Sequence, residues 1–191
     1  MEKLIRQIDC LTEKLGVVLY WMALPMMLTT CLVVVLRYVF HSGSIIFLQE
    51  SITYMHATIF MLASGWTLKR GGHVRVDVFY RQFSARKKAW VDSLGILIFL
   101  LPLCTLIFLS SLGFVALSWS IFESSADAGG LPFVYLLKTV IPAMALVLAL
   151  QGIAELLRNG LFLCGITDDI RHDENPDGSH TALASSEESK S

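Results

Sequence analysis

Four long apolar stretches dominate the chain, and the polar positions between them set where each must begin and end. Gly16 to Leu36 carries no formal charge, and at about 1.5 Å per residue it would form a helix about 30 Å long, the thickness of a bilayer's hydrocarbon layer. A second stretch, Ser44 to Leu68, is apolar apart from Gln49, Glu50 and His56. The third lies in the uncharged run Ser93 to Phe122, about 45 Å of helix, so it must tilt, bend near Pro102 or protrude. The fourth, Leu131 to Ala154, carries Lys138, with Pro132 near its start and Pro142 inside; membrane helices tolerate proline where neighbouring groups satisfy the freed carbonyl. The pattern predicts an all-α integral membrane protein with four transmembrane helices at about 16–36, 44–68, 93–122 and 131–154.

Two further segments have helical periodicity without being long enough to cross. In Met1 to Leu15, Leu4, Ile8, Leu11 and Leu15 recur on one side, with Lys3, Arg6, Asp9 and Lys14 elsewhere; this amphipathic extension, 1–15, is also readable as a continuation of the first helix. Between the second and third spans, Val76, Phe79, Tyr80, Phe83 and Trp90 share one face and Asp77, Arg81, Ser84 and Lys88 another. Such a helix, at about 76–90, is expected to lie in the cytoplasmic interface with its cations near anionic headgroups. Asp77 and Arg81 are spaced for an i, i+4 pair. The membrane domain so defined covers 16–157. The last segment, 167–191, is polar and mostly acidic and contains Pro176 and Gly178; disorder in the cytoplasm is expected of it.

Composition agrees with lipid as the solvent. Over 191 residues, 54% are hydrophobic and 16% charged, with a mean hydropathy of +0.62, against about 45–50% and about 25% in a soluble domain. The net charge of -1 argues against nucleic acid as a partner, which calls for a basic domain. Placement of charge is more informative than its sum. Of the 15 basic residues, all except Arg37 and Lys138 precede span one, lie between spans two and three, or follow span four. That side is expected to be cytoplasmic, with both termini there. Glu2, Asp9 and Glu13 before span one do not resemble the basic start of a cleaved signal peptide, so the first span is expected to persist.

Reactive chemistry is sparse. Cys10, Cys31, Cys104 and Cys164 lie far apart without zinc or iron-sulfur spacing and read as small buried hydrophobes. His56 is central in span two but has no second histidine within a span to complete a haem site, so it reads as a packed or hydrogen-bonded group. Glu50 and Lys138 lie at comparable depths near the outer surface. They are expected to approach each other or share a polar layer, or else to snorkel independently. Gly71 and Gly72 have no preceding strand and read as a turn, and no serine, histidine and carboxylate trio falls in an aqueous site; the chain is not expected to be an enzyme. Nor does an internal repeat mark it as a complete transporter.

Several motifs occur in a recognisable order: Arg37-Tyr38-Val39-Phe40 at the end of span one, Glu50 in span two, the loop Leu68-Lys69-Arg70-Gly71-Gly72-His73-Val74-Arg75-Val76-Asp77, then Glu123-Ser124-Ser125, Pro132 and Pro142. From about Leu15 to Leu157 the set resembles the small membrane (Q) subunit of tripartite ATP-independent periplasmic (TRAP) transporters. The resemblance implies a scaffold in the bacterial inner membrane that anchors a large multispanning subunit carrying the sodium and substrate sites, served by a periplasmic solute-binding protein. The substrate is typically an organic acid, the sodium gradient is used by the partner, and this chain would bind no cofactor itself. Arg37, Glu50, Arg70, His73 and Asp77 match recurring polar positions of that family, and with Lys138 they are candidate contacts to the large subunit or to membrane lipids. Gln49 stands where many relatives have a second acid and Phe47 where tryptophan is common, so the outer end of span two is expected to meet its partner differently. The competing expectation is a free-standing homo-oligomeric proton-coupled exporter using Glu50.

Overall fold

The computed structural model describes residues 2–39, 45–71 and 85–164, and every element within them is helical. Helix α1 runs Glu2–Tyr38, α2 Ile46–Lys69, α3 Ala85–Gly95, α4 Leu101–Ser120 and α5 Val134–Leu163; a π-helical turn, Ile96–Leu100, joins α3 to α4. The N-terminal extension is therefore the first part of α1. Its buried side is not the leucine stripe: Leu4 and Leu11 are exposed, whereas Ile5 and Thr12 are buried. The contacts described below explain this, because the extension is held mainly by polar groups.

The overlong third span is resolved by the π turn. Pro102 has no N–H, and its ring crowds the carbonyl four residues back, at Ile98. The turn widens the helix at that point, with the Leu101 N–H bonding to the Ile96 carbonyl five residues earlier; an extra residue per turn is a known way to absorb such a conflict. The helix also reaches back beyond Ser93 to Ala85. Of the interfacial helix expected at 76–90, residues 76–84 lie outside the described residues, and 85–90 form the start of α3, where Trp90 is exposed. The tail at 167–191 also lies outside them.

Helices α1 and α2 pack antiparallel, α2 packs in turn on α5, and α4 packs on the other side of α5, with α3 also against α5. The α2–α5 contact needs a glycine. A Cβ on Gly65 would lie 2.6 Å from Val147 Cγ1, closer than any real side chain tolerates, so the absent Cβ allows the helices their close approach. Buried apolar side chains such as Leu19, Val33, Cys104, Val115 and Ala145 lie along these seams; Cys10, Cys31 and Cys164 are exposed, contrary to the expectation of four buried cysteines. Outward faces are strongly apolar: Val18, Leu24 and Leu28 on α1, and Leu103, Leu106 and Leu109 on α4, are all exposed. Such a surface in water would aggregate; in hydrocarbon it is matched to its solvent.

Among the described residues three helices are long and apolar enough to cross a membrane: Lys3–Tyr38, Arg86–Ser120 and Val134–Leu163. Helix α2 has 24 residues, a sufficient length, but its polar residues leave it outside that set.

Candidate functional site

The polar residues of the helices gather at the two ends of the bundle. At the near end, where α1 begins, Asp9 is central. Its Oδ2 accepts a hydrogen bond from Arg158 Nη2 at 2.6 Å, and its Oδ1 accepts from Gln151 Nε2 at 3.2 Å. The Gln151 Oε1 accepts from Thr12 Oγ1 at 2.8 Å, so both ends of a fully buried carboxamide (0% exposed) are satisfied. That satisfaction is what makes its burial tolerable. Arg158 also pairs with Glu155 at 2.8 Å. Gln151, Glu155 and Arg158 follow one another at i, i+4 and i+7 along α5, which places them on one side facing α1.

The same end ties α1 to α2. Glu13 accepts from Lys69 Nζ at 2.9 Å and from Arg70 Nη2 at 2.7 Å, and Lys69 Nζ also donates to the Asp9 carbonyl at 3.2 Å. The Lys69 hydrogen bond first, and then that of Arg70, hold the Glu13 carboxyl down to about 2. The Arg70 guanidinium lies 4.8 Å over the Trp66 ring, whose other contact is Gly16 of α1. These pairs span three helices, and the most enclosed of those joining different helices is Asp9–Arg158, with side chains 20% and 16% exposed.

At the far end one carboxylate organises the connection between α4 and α5. Glu50, one turn into α2, accepts from the Ser125 hydroxyl and from the Leu131 backbone N–H at 2.5 Å. Ser125 N–H in turn bonds the Leu131 carbonyl at 3.1 Å, closing the loop on itself. Gly130 sits against this centre: a Cβ there would come 2.5 Å from Ser125 Oγ and 2.6 Å from Glu50 Oε1. Lys138 pairs with Glu123, which also accepts from the Ser118 hydroxyl at 2.6 Å; these donors hold the Glu123 carboxyl below its usual range, Lys138 contributing most. The Lys138 ammonium lies 4.1 Å from the centroid of the Phe114 ring.

Glu50 and Lys138 therefore do not pair. Each binds a different part of the 121–133 connection, and they share one polar layer through it. Glu123 reaches Lys138 because α4 ends in a left-handed residue, Phe122 at φ 46. The Glu123 N–H bonds the Ser118 carbonyl and the Phe122 N–H that of Trp119, a Schellman closure with phenylalanine where glycine is usual.

Of the other sequence candidates, Arg70 is engaged with Glu13 and Trp66, and Arg37 is exposed in the last turn of α1. His73 and Asp77 lie outside the described residues. His56 is on an exposed side of α2, stacked on Phe60 at 6.3 Å. Sequence reasoning missed Asp9, Glu13, Gln151 and Arg158 as a set. The signal available was the i, i+4, i+7 run of polar groups at the end of span four, opposite acids on the first helix. Among the described residues no group of three or more His, Cys, Asp or Glu could hold a metal ion. The arrangement holds helices in register.

Residues 26–160 match the family model described as the DctQ component of tripartite ATP-independent periplasmic transporters. No curated protein and no solved structure matches the chain. The matched region covers well over half of the sequence, from the first span through α5 and including the Glu50 centre; it is a transporter component family, and the chain belongs to it, as the small permease component of a TRAP-type system.

Proposed function

We propose that this chain scaffolds and anchors the large transport subunit of its TRAP system in the bacterial inner membrane, for sodium-coupled uptake of an organic acid delivered by a periplasmic solute-binding protein. The observation that carries the reading is that the two charged groups Glu50 and Lys138 are spent on the chain's own connection between α4 and α5. Both Glu50 oxygens hold the α4–α5 connection, and Lys138 is bound to Glu123. A group committed to a loop in this way is poorly placed to load and release a proton or substrate, which speaks against the exporter reading. Sodium and substrate sites belong, on this account, to the large subunit.

The fold supports four crossings. Helix α2 has its Glu50 end in the far polar layer and its Lys69 end in the near one, the same two layers that bracket α5, so it runs through the same depth as a spanning helix. The near layer, which holds Lys69, Arg70 and Arg158, corresponds to the basic side and so to the cytoplasm, with both termini there. Residues Arg37, Arg70, His73 and Asp77 act in this reading as helix-end anchors or contacts to the partner and to lipid headgroups. A direct test is affinity purification of the tagged chain from membranes co-expressing the large subunit. The large subunit is expected in the eluate at a fixed ratio; a chain that purifies alone as a homo-oligomer and transports unaided contradicts the proposal.

A further inference from the structure

We propose that the exposed face of α2 formed by Gln49, Thr53, His56 and Phe60 is the surface on which the large subunit docks, through transmembrane helices that present hydrogen-bonding groups to Gln49 and His56. The proposal rests on the scaffold reading above and assigns it a surface.

The four positions follow at i, i+4, i+7 and i+11, a single stripe about 16 Å long, and all four side chains are exposed. His56 lies about 15 Å along α2 from Ile46, near the middle of the helix. The stripe differs chemically from the other outward faces. On α4, the exposed hydroxyls of Thr105 and Ser110 donate to carbonyls of their own helix, Leu101 and Ile107, leaving leucine side chains to meet lipid. On α2, Thr53 does the same with the Gln49 carbonyl at 3.3 Å. A carboxamide and an imidazole are not satisfied so easily, and among the described residues neither the Gln49 nor the His56 side chain has a hydrogen-bond partner. At the depth of His56 lipid tails offer none, and an unpaired polar group in hydrocarbon is costly enough to demand one, while Gln49 lies at the edge of that zone beside Glu50. Polar side chains at such positions act between helices. The same residues also keep α2 out of the set of helices apolar enough to cross a membrane, so this helix depends on protein contacts more than its neighbours do.

The occupant is a different chain rather than a second copy. Two copies inserted with the same orientation and related by an axis along the membrane normal would set His56 against His56 and Phe60 against Phe60 at equal depth. A heterologous partner supplies complementary donors and acceptors instead. Phe60, 74% exposed and stacked on His56, provides the apolar part of the contact.

The test uses the full chain co-expressed with the large subunit. Benzoylphenylalanine replacing Phe60 is expected to crosslink to the large subunit on illumination, whereas the same probe replacing Leu106 on α4 is expected to give none. In parallel, the double variant Gln49→Leu with His56→Leu makes α2 more apolar, so insertion and the chain's own melting temperature should be retained. The co-purified large subunit should nevertheless fall about tenfold or more. Crosslinks from Leu106 but not Phe60, crosslinks joining two copies of this chain, or undiminished co-purification of the double variant would each overturn the docking face while leaving the scaffold reading intact. Failure of the unmodified chain to co-purify with the large subunit would overturn both.

Discussion

A carboxylate at the depth of Glu50 is expensive to keep charged unless its oxygens are occupied, and here a serine hydroxyl and a backbone N–H occupy them. Glu50→Ala leaves the Leu131 N–H and the Ser125 hydroxyl without their acceptor. We expect a loss of about 1–3 kcal/mol, with faster amide exchange at Leu131 than in the unmodified chain; unchanged exchange there contradicts the assigned hydrogen bond. At the near end, Glu13 sets a pH dependence. Its folded pKa of about 2 lies below its ordinary 4.5, so its contribution is complete above pH 4.5 and is lost as pH falls from there towards 2. Glu13 is 37% exposed, so the effect is modest. Thermal melts at stepped pH should show Glu13→Gln less stable than the parent at pH 6, with the gap closing below pH 4. A gap that persists at low pH means the carboxylate's charge is not what matters. Arg158 combines charge pairing with enclosure, so Arg158→Leu should cost more than Arg70→Leu, whose guanidinium is 57% exposed.

Helices meet where side chains permit, and Gly65 is the clearest instance. Gly65→Leu drives a large side chain into Val147 and should destabilise the α2–α5 contact by about 1–3 kcal/mol. Adding Val147→Ala should recover part of the loss, a coupling readable from a double-mutant cycle of melting temperatures. At this scale much was legible in the chain. Uncharged runs located the apolar parts of the helices but not their ends: α1 begins at Glu2 and α5 ends at Leu163, well beyond the charges that bound the runs, because those charges are paired between helices. The excess length after Ser93 and the presence of Pro102 pointed to an irregularity, and the π turn at Ile96–Leu100 is its form. The partners of Asp9 were not legible. Its bonds to Gln151 and Arg158 join residues about 140 positions apart in sequence, and no local periodicity reports such a meeting. Likewise Lys138 was visible as a buried cation, but its choice of Glu123 over Glu50 depends on the left-handed Phe122 at the end of α4, which hydropathy does not encode. The leucine face of 1–15 misled for a related reason: amphipathicity shows that a face exists, and the polar contacts of Asp9, Thr12 and Glu13 decide which face is buried.

For the molecule as a whole, a bundle with both ends closed by its own polar pairs and with apolar flanks is built to remain rigid in lipid. Its orientation is open to a simple check with the native thiols, since Cys10 and Cys164 are both exposed and both lie toward the near layer. In a Cys31→Ala background, a membrane-impermeant maleimide should label these two in inverted vesicles and leave them unlabelled in intact spheroplasts; labelling from opposite sides would mean an odd number of crossings. The central claim concerns what this rigid bundle does for another protein. It is tested most directly by reconstituting the large subunit into proteoliposomes with and without this chain, and measuring sodium-driven uptake from a loaded solute-binding protein. We predict uptake only when this chain is present and none from this chain alone. Full uptake by the large subunit without it, or transport by this chain on its own, would contradict the account.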